Sequence, residues 1–302
     1  MKRLYGTVVP IITPFDENGE VDVKSLENLT EYIVQSGLQC LYPCGTTGEM
    51  CLLSLEERKK VVETVVRKTA GRIPVFAQVG AVTLADTIEL ARHAVQAGCD
   101  GIGVVTPIYF KLSDQGLIDF YKAVAKSVPE DFPVYLYGIP QNAVNDISVH
   151  VAEEVAASCK NVIGIKYSYP DMTKLQEFML VNQEKFSVLV GPDHLFHVVV
   201  AAGGDGVVSG NAMIITEHYA KLWEALQNKE NELAMRLQRR TNVLNKIMCE
   251  KNNISAYKVL LKEMGIIKTA NMRAPMEMLN EAEQEKLLQD MKKADFHHII
   301  LE

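Results

Sequence analysis

Lys166 closes the apolar run Asn161-Val162-Ile163-Gly164-Ile165-Lys166. Burial disfavours the charge of an ammonium, and the neutral amine is a nucleophile that adds to a ketone to give an imine. Tyr137 closes a second such run, Pro133-Val134-Tyr135-Leu136-Tyr137. A phenol beside a forming imine can carry protons as the carbinolamine appears and collapses. The third group is Gly45-Thr46-Thr47-Gly48, a tight loop with two hydroxyls and exposed backbone N–H groups. Such a loop suits a carboxylate, which accepts several hydrogen bonds at once. Each feature has a plainer reading alone: a lysine can snorkel or pair with an acid, a tyrosine can pack, and threonines can cap a helix. Placed together on neighbouring strand ends, they point to a lysine attacking a 2-oxo acid.

The elements that must position these groups follow from the hydrophobic pattern. Short apolar runs at Thr7–Ile12, Leu38–Tyr42, Val75–Gln78, Gly101–Val105, Val134–Tyr137, Val162–Lys166, Val188–Val190 and Gly206–Val208 alternate with longer helical patterns. Most runs are apolar throughout, as in parallel strands covered on both faces. Ser54-Leu55-Glu56-Glu57 has the form of a capping box, Thr83, Ser113 and Ser148 stand at helix starts, and Gly98 follows a helix end. Eight strand–helix units predict a (β/α)8 TIM barrel over residues 1–226. A doubly wound sheet fits less well, because Val9-Pro10-Ile11-Ile12-Thr13-Pro14 is not a glycine-rich nucleotide turn. Asn231–Cys249, Ser255–Met264 and Glu281–Lys292 read as helices without intervening strands. They predict a C-terminal helical extension, residues 227–302, packed on the barrel as one structural unit. In a barrel the active site lies at the C-terminal ends of the strands, where the lysine, the tyrosine and the threonine loop all fall.

The 302 residues, 48% hydrophobic and 23% charged, have an ordinary globular balance. A net charge of −7 argues against nucleic acid or an anionic membrane as partner. Cys40, Cys44, Cys51, Cys99, Cys159 and Cys249 include no C-x-x-C pair and no metal-ligand spacing with histidine, so buried free thiols are expected. With no signal-like N-terminus and no apolar stretch of membrane length, a cytoplasmic protein is expected.

Taken in order, Gly6-Thr7, Thr13-Pro14-Phe15, Gly45-Thr46-Thr47-Gly48-Glu49, Thr106-Pro107, Tyr137-Gly138-Ile139-Pro140 and Gly164-Ile165-Lys166 resemble the dihydrodipicolinate synthase/N-acetylneuraminate lyase family of Schiff-base, pyruvate-dependent class I aldolases. The resemblance implies Lys166 as the imine-forming lysine and Tyr137 as the proton carrier. It implies Thr46 and Thr47, with Gly45, as binders of the pyruvate carboxylate. Tyr109 falls where relatives place a tyrosine that reaches a neighbouring subunit's site, which implies at least a dimer and, for the family, a homotetramer built as a dimer of dimers. The covalent imine between Lys166 and pyruvate leaves no need for a metal or diffusible cofactor.

The synthase branch grips the carboxylate of aspartate semialdehyde with an arginine shortly after Tyr-x-x-Pro. Here Asn142 stands in the matching place, and an amide does not replace a bidentate guanidinium. Phe110 is aromatic, as in the sugar-acid aldolases. Ser168 is placed to bond a substrate C4 group, and Tyr167 and Tyr169 either shape the pocket or pack. Asp193 matches a polyol-binding acid of the neuraminate lyases but can equally cap a helix, and His194 replaces a second acid. Ser209, Gly210 and Asn211 complete the candidate substrate contacts. These departures favour cleavage or synthesis of a 4-hydroxy-2-oxo acid of the 2-keto-3-deoxy sugar acid type. 4-Hydroxy-tetrahydrodipicolinate synthesis is the alternative, and a non-catalytic 2-oxo acid sensor the second.

Overall fold

The computed structural model describes residues 1–250 and 252–296. The end of the expected extension, residues 297–302, and Lys251 lie outside the described residues. The eight strands are β1 (Gly6–Val9), β2 (Cys40–Leu41), β3 (Phe76–Gln78), β4 (Gly101–Val105), β5 (Val134–Gly138), β6 (Val162–Tyr167), β7 (Ser187–Val190) and β8 (Gly206–Val208). They run in the order β2-β1-β8-β7-β6-β5-β4-β3, and a parallel bridge from Leu41 to Val75 brings the two ends together into a nearly closed TIM barrel. Each expected apolar run overlaps a strand, and four of the strands extend one residue beyond their run. β1 ends at Val9 rather than Ile12 because Pro10 has no N–H to give to a ladder.

The chain packs as two compact units. The first comprises Met1–Val8, Cys40–Tyr42 and Pro74–Val208 and carries the sheet apart from Val9. Its core contains Leu4, Val8, Cys40, Tyr42, Phe76, Tyr135, Leu189 and Val208, all buried. Large rings fill the sheet interior only because facing positions are glycine. A Cβ on Gly103 would lie 1.8 Å from the Tyr42 hydroxyl, and one on Gly164 would lie 2.5 Å from both the Tyr135 ring and the Ser187 carbonyl. The second unit comprises Val9–Gln39, Pro43–Ile73 and the described part of Ser209–Glu302. It is helical: Val23–Gln35 packs on Leu55–Thr69, and Thr216–Gln227 packs on Asn231–Met248, with Asn253–Glu263 and Glu281–Lys293 following.

Helix starts match the expected caps. Ser54 and Glu57 form a complete capping box, and Thr83, Ser113 and Ser148 each accept from a backbone N–H in the first turn. Gly98 closes its helix in the left-handed conformation. All six cysteines are free thiols, but Cys51 and Cys249 are exposed rather than buried: Cys51 lies in the one-turn 3-10 helix Met50–Leu52 and Cys249 at the C-cap of helix Asn231–Met248. No described helix is long and apolar enough to cross a membrane.

His218, on Thr216–Gln227, is buried with Nε2 3.0 Å from both the Leu237 carbonyl and the Thr241 hydroxyl. Burial pulls its pKa down to about 4 from the ordinary 6.5. Between those values the unfolded chain binds more protons than the folded one. Stability is therefore full above pH 6.5 and falls as pH drops toward 4, by at most about 3 kcal/mol. Denaturant melts across this range should show the decline, and His218→Gln should flatten it. Gly103→Ala should lower stability by about 2 kcal/mol or more through overpacking against Tyr42, whereas Gly116→Ala on helix Asp114–Ala125, where a Cβ would meet only ordinary van der Waals neighbours no closer than 3.6 Å, should be neutral or slightly stabilising.

Candidate active site

In the first unit the register of β5 on β6 sets Tyr137 directly beside Lys166. Directly opposed residues of paired strands project to the same face, so the amine and the phenol meet without any loop being needed. Lys166 is 5% exposed and Tyr137 1% exposed. The lysine Nζ lies 3.8 Å from the centroid of the Tyr137 ring and 5.1 Å from that of Tyr42. The amine is therefore bordered by two aromatic faces at the C-terminal end of a buried strand. This geometry shelters a nucleophile from water and places a proton donor within reach of whatever adds to it.

The segment after β5 is tied to the end of β6. Ser168 N donates to the Gly138 carbonyl at 2.8 Å, and Gln141 Nε2 donates to the Ser168 carbonyl at 2.8 Å. Ser168 is half-buried, and its hydroxyl fills the space a side chain on Gly191 would need. Asn142 is exposed on the short helix Pro140–Ala143. Asp193 is half-buried inside the turn Asp193–Leu195, so it does not stand at the N-cap of helix Phe196–Ala201, which is Leu195. His194 is exposed. Tyr167 packs away from the amine: it lies against Phe178, with ring centroids 5.4 Å apart, and donates to Asp146 at 3.1 Å. Lys174 pairs with the same carboxylate at 2.5 Å. Burial and the Asp146 charge push the Tyr167 phenol upward, which keeps it protonated and a donor.

Tyr109 and Phe110 project from the loop after β4, 80% and 73% exposed, with their rings in edge contact at 5.0 Å. Tyr109 holds φ at 80°, an unfavourable conformation for an aromatic residue. The residue that holds this loop is Asn145, which was not singled out in the sequence. Its buried amide accepts from Leu112 N at 2.8 Å and donates to the carbonyls of Pro107 and Phe110, both at 2.7 Å. Its own carbonyl accepts from the Thr106 hydroxyl at 3.2 Å.

In the second unit Gly45, Thr46 and Thr47 form a turn closed on its own backbone: Gly48 N donates to Gly45 O at 3.0 Å, and Glu49 N to Thr46 O at 3.0 Å. Thr13 donates its hydroxyl to the Gly48 carbonyl at 2.8 Å. Both threonines of the turn remain half-exposed. Ser209, Gly210 and Asn211 lie in the turn after β8. Asn211 accepts from the Tyr257 hydroxyl at 2.9 Å and donates to Asn245 at 2.8 Å, while Gly210 faces the Tyr257 ring. That network gives Asn211 a structural role within its unit. Sequence reading also passed over Lys258 and Arg273, both cations tied to acids of this unit.

A parallel barrel with a lysine buried at a strand end beside a tyrosine defines the class: a carbon–carbon lyase of the class I aldolase type. A family model described as the dihydrodipicolinate synthetase family matches residues 3–294. The 4-hydroxy-tetrahydrodipicolinate synthase of Aquifex aeolicus is 34% identical over 95% of this chain and 97% of its own length. The crystal structure of dihydrodipicolinate synthase from Aquifex aeolicus superposes with a TM-score of 0.92 at 33% identity, covering 97% of this chain and 99% of that one. YagE, a prophage protein of E. coli K12 solved in complex with pyruvate, also gives a TM-score of 0.92, at 26% identity, with 97% and 99% covered. The chain belongs to the dihydrodipicolinate synthetase family.

The Asn145 contacts generate a local prediction. Asn145→Asp keeps the acceptor for Leu112 N but loses both donors to carbonyls, so the loop after β4 should open more readily by about 2 kcal/mol. Hydrogen exchange at the Leu112 amide should accelerate accordingly; unchanged protection would show that the loop is held by other contacts.

Proposed function

We propose that the chain joins pyruvate to an aldehyde, or reverses that reaction, through an imine on Lys166. The observation that carries this reading is the buried amine 3.8 Å from the Tyr137 ring at the C-terminal ends of adjacent barrel strands. The Lys166 amine adds to C2 of pyruvate, and the carbinolamine loses its hydroxyl as water with a proton relayed by Tyr137. The protonated imine draws electrons from C3, which loses a proton to become an enamine. The enamine carbon bonds to the aldehyde carbon, whose oxygen takes a proton, and water then hydrolyses the imine to free Lys166. Thr46 and Thr47 receive the pyruvate carboxylate through hydroxyls and backbone N–H groups. This sequence of steps calls for no metal or diffusible cofactor. Tyr109 acts in a neighbouring subunit of a homotetramer, a role its exposure and its held loop support. The cytoplasm, where thiols stay reduced, suits the six free cysteines.

For the aldehyde, the names of the relatives favour aspartate semialdehyde and thus 4-hydroxy-tetrahydrodipicolinate synthesis over the sugar-acid chemistry expected from the sequence. One observation keeps a second reading: the exposed Asn142 stands where the synthases are expected to carry a carboxylate-binding arginine. An aldehyde without a distal carboxylate, such as one released from a 2-keto-3-deoxy sugar acid, fits that residue better.

Borohydride reduction with pyruvate, read by peptide mass spectrometry, should leave a pyruvate-sized adduct on the Lys166 peptide and none in Lys166→Ala. Failure to label the wild type would end the imine reading. Tyr137→Phe should reduce turnover by about 10²–10³-fold. Parallel assays with aspartate semialdehyde and with 2-keto-3-deoxy sugar acids then decide between the two aldehydes. Adduct formation without exchange of the pyruvate C3 protons into heavy water would instead identify a sensor.

A further inference from the structure

Glu49 ends the threonine turn and enters the interior of the second unit. Its side chain is 1% exposed, and its carboxylate lies 2.5 Å from Nζ of Lys258, whose side chain is 0% exposed. Lys258 belongs to helix Asn253–Glu263 of the C-terminal extension. Its ammonium also donates to the Asn271 carbonyl at 2.8 Å and stands 4.2 Å from the centroid of the Phe15 ring. Arg273 covers the same ring at 4.4 Å and binds Glu57 through two nitrogens, at 2.7 and 2.9 Å. Burial pulls the Lys258 ammonium below its ordinary value, and the Glu49 charge opposes that pull.

A fully buried ion pair is a poor way to gain stability, because desolvation offsets most of the attraction and an apolar pair of similar volume does as well. What such a pair supplies is a fixed geometry. Here the position it fixes is unusual: Glu49 holds φ 57° and ψ 38°, the left-handed region that a residue with a side chain avoids. That conformation lets Glu49 N return to Thr46 O and Met50 N return to Gly45 O, at 3.0 and 3.3 Å, which closes the turn.

We infer that Lys258 is a positioning residue: through Glu49 it sets the shape of the Gly45–Gly48 turn and thereby the affinity for the carboxylate of the 2-oxo acid. The inference rests on the reading of Thr46 and Thr47 as the carboxylate binders. It gives the helical extension a part in substrate binding that no residue of the turn itself discloses.

The test is borohydride trapping on Lys166 at graded concentrations of pyruvate and, separately, of acetone, a ketone without a carboxylate. Lys258→Met, which strands the Glu49 charge, should raise the pyruvate concentration for half-maximal trapping about tenfold or more while leaving the acetone value within about twofold. Full labelling at saturating pyruvate should persist. The double variant Glu49→Gln/Lys258→Met removes the stranded charge but also the pair. It should recover part of the loss and keep a weakening of about threefold or more for pyruvate. Full return to the wild-type value would show that the fixed geometry is not needed and overturn the inference. Equal weakening of pyruvate and acetone would mark a general folding effect and overturn the inference, as would an unchanged pyruvate value. If circular dichroism shows Lys258→Met unfolded, Glu49→Gln takes its place, with the same split between ketones at about threefold; no split there overturns the proposal. Absence of any pyruvate adduct on the wild type would instead overturn the imine reading, and this inference with it.

Discussion

A ring of parallel strands must fill its own interior. Every inward position is either packed or left open to a ligand, and no edge remains through which a misfit can be relieved. This constraint accounts for the glycines at Gly103 and Gly164, which admit Tyr42 and Tyr135 where any side chain would collide. It also accounts for Lys166. With the lower interior closed by Leu4, Val8, Phe76, Tyr135 and Leu189, an inward lysine near the start of β6 would have no partner and no water. At the strand's C-terminal end the same side chain meets Tyr137 and Tyr42, two faces that tolerate either a neutral amine or its cation.

Three buried polar groups in or against the connections are firmly attached. Asn145 uses both amide hydrogens and its oxygen on one loop. Lys258 meets Glu49 and a backbone carbonyl. Asn211 lies between Tyr257 and Asn245. An unsatisfied buried polar group costs about 1–3 kcal/mol, more for a charge, so each of these sets restricts its segment to one conformation. The segments restricted in this way are the loop bearing Tyr109, the turn bearing Thr46 and the turn after β8. Rigidity is thus concentrated in the irregular connections rather than in the strands, which need none beyond their ladders.

The strands and the placing of Lys166 and Tyr137 at strand ends were legible in the sequence because both depend on local pattern. An all-apolar run of four to six residues reads as a covered strand wherever it occurs, and a lysine or tyrosine at its end announces itself. Helix caps at Ser54, Thr83, Ser113 and Ser148 were legible for the same reason, since a cap acts within one turn. Asn145 and Lys258 were not. Asparagine after a turn and lysine within a helix are ordinary, and their meaning comes from partners far away in the chain: Phe110 and Leu112 for one, Glu49 for the other. For Asn211, the place after a strand suggests a ligand contact, whereas its bonds to Tyr257 and Asn245 come from residues far along the chain that no local pattern discloses.

The tension between the relatives' names and Asn142 has a physical origin. Identity of 34% over 95% of the chain is spread over the whole barrel, and a shared scaffold does not by itself fix the substrate. On the proposed reading, an aldehyde would touch few residues, and those lie on connections that can change without disturbing a strand. Exchanging arginine for asparagine at one exposed position alters overall identity hardly at all, yet removes a charge-assisted fork for a carboxylate. Overall similarity therefore supports the lysine chemistry more strongly than it supports the aldehyde. Gln141 already anchors that connection to Ser168, so position 142 projects from a held backbone. On the proposed reading, the far end of the aldehyde would meet this position, and there the chain carries an amide.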